Sequence, residues 1–404
     1  MHIKQNTKMI LRNCKILQGD KELIVDILIE DGKITKFGHN IKHFGEEIDV
    51  NEKYVLPGLI DSHVHFRDFE QAHKEDWFSG SSAAAAGGIT TVLDMPNNSP
   101  PIITIKQLEK KRMLAKKSIV NYGFHFGSTV DNIEDIKKAK NIASVKIYMN
   151  MTTGKLLVED DDALDRIFAA AKMVSVHAEG DVVKKAIDLA KKHNTRLYLA
   201  HISQRAELDI LEEEKTKNIF AEVTPHHLFL SEIDNKDAFT KMIPALKSVL
   251  DNEALMKAIK TGLIDTVGTD HAPHTVGEKL EPDPPAGVPG CETMLPLLLD
   301  AVNSGILTIS LVQKLCCENP AKIFGIKNKG HIKPGYDADL VVVDMDFVKV
   351  VRDEELLTKP GWSPFDSRTL QGWPVLTIIN GNIVFDGDVH DVNKGREVEY
   401  ETHS

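Results

Sequence analysis

The sequence predicts an α/β fold, a (β/α)8 TIM-like barrel joined to a small β-sandwich domain built from both chain termini. Three observations carry this expectation. Short β-rich runs alternate with longer helix-like stretches between Leu59 and Asp270, the pattern of repeated βα units around a parallel sheet. Eight such runs suggest closure into a barrel. Both chain ends are instead rich in β-branched residues and tight turns.

In chain order the runs are Leu59–His65, Thr90–Met95, Val120–Phe126, Ile142–Tyr148, Val174–His177, Arg196–His201, Ile219–Thr224 and Asp265–Asp270. Between them, Thr104–Lys117 and Asp181–His193 carry apolar residues at helical intervals. A doubly wound open sheet is the competing architecture. Closure is preferred because the polar residues at the run ends come from the whole set, and only a barrel brings those ends together. At the termini, Ile27–Thr35 reads as a hairpin with Asp31-Gly32 at its turn, and Thr377–Val384 as one with Asn380-Gly381. With Ala338–Val343 they would form the β-domain from residues 1–56 and 331–404, leaving 57–330 for the barrel.

Composition bounds the function. The 404 residues, 42% hydrophobic and 27% charged, are those of an ordinary globular chain. A net charge of -11 without a clear Lys/Arg block argues against nucleic-acid and anionic-membrane partners. The cysteines, Cys14, Cys291, Cys316 and Cys317, form no CxxC pair, which fits a reducing cytosol. No apolar leader or membrane-length run is apparent, so a cytoplasmic location is expected.

Metal binding must therefore come from His, Asp, Glu or Lys. His63 and His65, two apart at the end of the first run, would emerge on one face as two neutral nitrogens. The ends of later runs add Lys146, His177, His201 and Asp270. Taken singly, His177 or His201 would more often be an ordinary core histidine, but together these residues form a ligand set for two metals at the barrel face where active sites sit. A cationic Lys146 would be repelled there. If its neutral amine captures carbon dioxide, the resulting carbamate can bridge two metals roughly 3.5 to 4 Å apart. The competing role is an ion pair with a carboxylate such as Asp270. Zinc is the metal expected from the imidazole-rich set, with Mn or Co as alternatives, and it lowers the pKa of bound water to about 7. Asp270 would then serve as both ligand and general acid/base.

Other residues frame this mouth. Arg67 points to the same side as His65 and could grip a carboxylate with two hydrogen bonds, or pair with Asp68 or Glu75. Asn97 stands at the second mouth as a turn former or a substrate ligand. Met149–Gly154 reads as a cover. His226 and His227 are expected in loop packing outside the ligand set. The Pro/Gly-rich segment His271–Cys291 reads as a functional loop.

With these residues assembled, the chain resembles the dihydroorotases of the amidohydrolase superfamily over nearly its whole length. The likeness rests on His63-Val64-His65-Phe66-Arg67, Asp94-Met95-Pro96-Asn97, Val145-Lys146-Ile147-Tyr148-Met149-Asn150, His177-Ala178-Glu179, Glu222 to His227 and Thr269 to His274. Pro285 to Thr293 is similar to the family's substrate loop, and Lys333 to Leu340 to its return into the β-domain. The resemblance implies reversible cyclisation of N-carbamoyl-L-aspartate to L-dihydroorotate, in pyrimidine synthesis. It implies two Zn2+ bridged by N6-carboxylysine at Lys146, in the branch that includes the animal dihydroorotase domain. It implies that Arg67, Asn97 and His274 grip the substrate, that Ala286 and Gly287 add backbone hydrogen bonds, and that Thr152 and Thr153 close over it. Association with aspartate transcarbamoylase is a further family expectation.

The chain departs from the family pattern at two places. Phe69-Glu70 stands where many relatives have Pro-Gly. Ile243 stands where a polar substrate contact is often found, with Lys247 or Lys241 as substitutes. Allantoinase and hydantoinase are the nearest rivals, and Arg67 discriminates against both because their substrates lack a ring carboxylate. A catalytically silent scaffold is the rival of another class, and the intact ligand set argues against it.

Overall fold

The computed structural model of the chain describes residues 8–152, 156–391 and 395–401. Five strands precede the barrel: β1 (Lys8–Gln18), β2 (Lys21–Glu30), β3 (Lys33–Gly38), β4 (Glu46–Asp49) and β5 (Tyr54–Pro57). The predicted Asp-Gly hairpin joins β2 to β3, with Asp31 and Gly32 at φ 52° and 78°. Two positive φ values in succession match the right-handed twist of the flanking strands.

The barrel strands follow as β6 (Leu59–Val64), β7 (Ile89–Asp94), β8 (Asn121–Gly127), β9 (Ser144–Tyr148), β10 (Met173–His177), β11 (Arg196–Leu199), β12 (Ile219–Val223) and β13 (Thr266–Val267), hydrogen-bonded in chain order. A parallel bridge between Val64 and His271, with His65 N–H donating to His271 O at 2.8 Å, brings the first and last strands together. The barrel is thus nearly closed, as predicted. Every residue of β6, β7 and β8 is buried, which is why these strands read as continuous runs rather than as alternating ones.

Strands β11 and β13 are shorter than the predicted runs Arg196–His201 and Asp265–Asp270 for a backbone reason. His201 and Asp270 take left-handed φ values of 41° and 48°, so the extended chain stops before each of them. Non-glycine residues in that region cost on the order of 1–3 kcal/mol each and persist where the surroundings over-determine them. Ahead of Asp270, Gly268 lets the chain pass close to Glu222, since a Cβ there would lie 2.3 Å from a carboxylate oxygen.

The predicted helices form at Ile105–Ala115 and Asp181–His193. The first is fixed at its start by a capping box between Thr104 and Gln107, the second at its end by Asn194 in the left-handed region. Strands β14 (Leu340–Val350), β15 (Thr369–Ile379) and β16 (Asn382–Phe385) then join β1–β5 in one eight-stranded sheet made from both ends of the chain. Between β14 and β15 the chain runs back over the barrel mouth. There Trp362 and Phe365 pack with Leu230, Met242 and Val288, and Trp362 Nε1 donates to His274 O at 2.8 Å. Among the described residues no helix is long and apolar enough to cross a membrane.

Candidate active site

A pocket of about 440 Å³, including its open mouth, is lined by His63, His65, Arg67, Asn97, Lys146, Thr152, His177, His201, Asp270, Ala286 and Gly287, joined by Tyr148, Ile243 and Ala272. The strand tips deliver most of them. His63 and His177 stand at the ends of β6 and β10 and Lys146 in the middle of β9, while the left-handed turns aim His201 and Asp270 inward.

Hydrogen-bond partners fix which atoms face the mouth. Glu222, buried at the end of β12, accepts from His63 Nδ1 at 2.7 Å, so the lone pair of a neutral His63 lies on Nε2. That nitrogen is 3.2 Å from Asp270 Oδ1. His65 repeats the pattern, with Nδ1 at 2.6 Å from Asn97 Oδ1 and Nε2 at 3.0 Å from the same Asp270 oxygen. With both rings neutral, two imidazole lone pairs converge on one carboxylate oxygen, an arrangement that repels until a proton or a metal cation lies among them. His63, His65 and Asp270 each offer an atom within 4.8 Å of the others, and their chemistry fits a divalent metal.

On the other side, His177 Nδ1 and His201 Nε2 approach to 2.8 Å, a second convergent pair. Lys146 is buried, and among the described residues its Nζ has no hydrogen-bond partner, as is also true of His201 Nδ1. The expected alternative, an ion pair of Lys146 with Asp270, is not formed.

Electrostatics follow burial and the shared carboxylate. Burial lowers the His65 pKa to about 4 against the pull of Asp270. Burial also pushes the Lys146 ammonium down to about 8, with Glu222 and Asp270 opposing. Asp270 resists the upward push of burial because His63 and His65 hold its carboxyl well below the usual range.

Arg67 is buried against the loop after β13, where its Nε donates to Pro273 O at 3.2 Å and its Nη2 lies 3.1 Å from His274 Nε2. It pairs with neither Asp68 nor Glu75. Among the described residues no carboxylate lies within ion-pair distance of its guanidinium. Ala286 O sits 3.1 Å from His274 Nε2, and Gly287 N–H donates to Lys241 O at 3.0 Å. Thr152 lines the pocket, whereas Thr153 lies outside the described residues. His227 is held in loop packing by Thr224 Oγ1 and Pro244 O, and both it and His226 lie outside the pocket lining. Ile243 lines the pocket, and neither Lys241 nor Lys247 does.

Sequence reasoning missed the residues that hold these groups. Glu222 also accepts from Tyr198 Oη at 2.7 Å and from Ser62 Oγ at 3.1 Å. A carboxylate inside the buried run Ala221–Val223 is the signal that could have marked it. Asp94 accepts from Phe66 N–H at 2.6 Å and is paired with the fully buried Lys111. Lys111 donates in addition to Asn98 Oδ1 at 2.9 Å, and Asn98 grips Arg67 O at 2.5 Å, so the His65–Arg67 segment is braced from the helix Ile105–Ala115.

A nearly closed barrel that gathers imidazoles and a carboxylate at its mouth has the donor set of a metal-assisted hydrolase. The chain belongs to the amidohydrolase family, whose model matches residues 54–384. Within that family it groups with dihydroorotases, being 37% identical to the dihydroorotase of Methanosphaera stadtmanae over 95% of this chain and 98% of that relative. It is 38% identical to the dihydroorotase of Pyrococcus furiosus, over 92% of this chain and 93% of the relative. Among solved structures it is similar to the L-hydantoinase (dihydropyrimidinase) of Arthrobacter aurescens, with a TM-score of 0.92 and 28% identity over 97% of this chain and 99% of that one.

Proposed function

We propose that the chain is a dihydroorotase, which interconverts N-carbamoyl-L-aspartate and L-dihydroorotate in pyrimidine synthesis. The observation that carries this reading is Arg67. A guanidinium only 4% exposed, without a carboxylate of its own beside the metal-binding cluster, is costly to bury and calls for an anionic substrate group. Hydantoinases share the fold, but their ring lacks that carboxylate, so a buried arginine here would have no partner.

His63, His65 and Asp270 would hold one zinc, His177 and His201 a second, with Lys146 as N6-carboxylysine between them. The buried, unpartnered amine of Lys146 supports this, since carbamate formation consumes a neutral amine and carbon dioxide and releases one proton. When bound, the metal pair supplies Lewis acidity toward the amide carbonyl and toward water.

The protein's own groups do the rest. Arg67 and Asn97 orient the ring by its carboxylate and polar edge, and Thr152 closes the open side. In ring opening Asp270 accepts the proton of the attacking water and delivers it to the leaving nitrogen, and in ring closure the proton travels back. Glu222 keeps the His63 lone pair on Nε2. The resemblance also supports a cytoplasmic setting and association with aspartate transcarbamoylase, which co-purification would check. For the reaction itself, purified protein given zinc and bicarbonate should interconvert the two compounds. No turnover of either, with rapid turnover of hydantoin or allantoin, would reject the proposal.

A further inference from the structure

Lys74 lies outside the pocket lining, in the turn after the short helix Phe69–Gln71, yet its ammonium reaches the site from behind. Its Nζ is 3.2 Å from His274 Nδ1 and 2.7 Å from Glu278 Oε1. Glu278 is itself fixed, accepting from Thr275 N–H at 3.0 Å and Thr275 Oγ1 at 3.2 Å. At the other end of the imidazole, Nε2 meets two groups of opposite kind, Ala286 O and Arg67 Nη2, each at 3.1 Å.

A neutral imidazole has one N–H and one lone pair, whereas an ammonium and a guanidinium only donate and a carbonyl only accepts. Suppose the proton is on Nδ1. It then points at the Lys74 ammonium, Ala286 O faces a lone pair, and only Arg67 is satisfied. With the proton on Nε2, the ring donates to Ala286 O and accepts from Lys74, and only the Arg67 contact lacks an acceptor. The Glu278 Oε2 atom, 3.7 Å from Nδ1, is too far to reverse this by accepting from that nitrogen. Two contacts outweigh one, and the second assignment leaves the Nη2 protons of Arg67 uncommitted.

We propose that Lys74 is a positioning residue that holds the proton of His274 on Nε2 and so keeps the Arg67 guanidinium free for the substrate's carboxylate. The part concerning substrate rests on the dihydroorotase reading; the part concerning the ring does not. Removing the donor at Nδ1 lets the lone pair turn to Nε2, where the charged Arg67 donor captures it. The arginine would then be tied to the imidazole before substrate arrives.

Nitrogen NMR of histidine-labelled, zinc-loaded protein reads the ring directly, with His274→Gln identifying the signals. The wild type should carry its proton on Nε2, and Lys74→Met should move it to Nδ1. In the same variant KM for dihydroorotate should rise about tenfold or more with a smaller change in kcat, as expected for a lost charge-assisted contact. Turnover of dihydrouracil, the same ring without the carboxylate, should keep its KM. Lys74→Arg, which retains a donor, should restore the wild-type tautomer and most of the affinity. A wild-type proton on Nδ1, or a Lys74→Met protein with unchanged tautomer and unchanged KM, would overturn the proposal. Should the wild type fail to process dihydroorotate, the dihydroorotase reading falls, and the ring spectrum still decides the role of Lys74.

Discussion

Glu222 accepts a hydrogen bond from His63 Nδ1 at 2.7 Å, and that one contact determines that Nε2 of His63 faces the barrel mouth. Partners of metal-ligating histidines typically contribute 10–100-fold to metal affinity. Glu222→Gln weakens the acceptor while nearly preserving shape. Zinc affinity, measured by competition with a chelator, is expected to fall by roughly that factor, and an unchanged affinity would show that Glu222 does not orient the ligand.

Arg67 is expected to set substrate choice. Arg67→Met removes the buried cation, and kcat/KM for dihydroorotate should drop by about 100-fold or more, since truncating one partner of a buried charge pair costs several kcal/mol. Arg67→Lys should recover only part of this because an ammonium lacks the planar fork. Steady-state kinetics on dihydroorotate and on an uncharged ring check the prediction. Equal losses on both would contradict it.

Lys146→Ala is expected to abolish turnover and lower the bound metal content. If Lys146 bridges as a carbamate, a short carboxylic acid such as acetate or propionate, placed in the space left by the side chain, would replace its two oxygens and should restore activity in a concentration-dependent way. Activity in the variant without added acid, comparable with wild type, would remove Lys146 from the centre.

Glu292 provides a pH signature of stability remote from the metal ligands. Burial raises its pKa to about 7, the nearby Glu75 adds to the rise, and Leu357 N–H and Thr358 N–H oppose it. The folded state therefore holds this proton more tightly than the unfolded chain. The cost of ionising Glu292 is absent below the ordinary glutamate range, grows as pH rises and is complete above about 7, reaching about 3 kcal/mol at most. Thermal unfolding from pH 5 to 8.5 should show Glu292→Gln gaining on wild type only as pH climbs. A difference that stays flat with pH would exclude the effect.

Much of this was legible in the sequence because it is written locally. Strands buried on both faces favour β-branched and aromatic residues without strict alternation, so β6 through β12 announce themselves, and the chemistry-bearing residues His63, Lys146 and His177 stand out within or at the ends of those runs. The terminal hairpins declare themselves through Asp31-Gly32 and Asn380-Gly381. What escaped depends on partners distant in the chain. Trp362 reaches His274 O across 88 residues, and Glu75 accepts from Thr358 Oγ1 at 2.6 Å across 283. No period or spacing encodes such pairs. The length of the last strand was overestimated because the left-handed turn at Asp270, which aims the carboxylate inward, leaves no mark in residue type.

The central claim is that the barrel mouth holds two metals joined through Lys146. Anomalous scattering at the zinc edge, recorded on crystals grown with zinc and bicarbonate, tests it most directly. Two peaks are expected, one among His63, His65 and Asp270 and the other beside His177 and His201, with density for a carboxylated Lys146 between them. An absence of peaks at the mouth, or a plain amine at Lys146 in such crystals, would contradict the account.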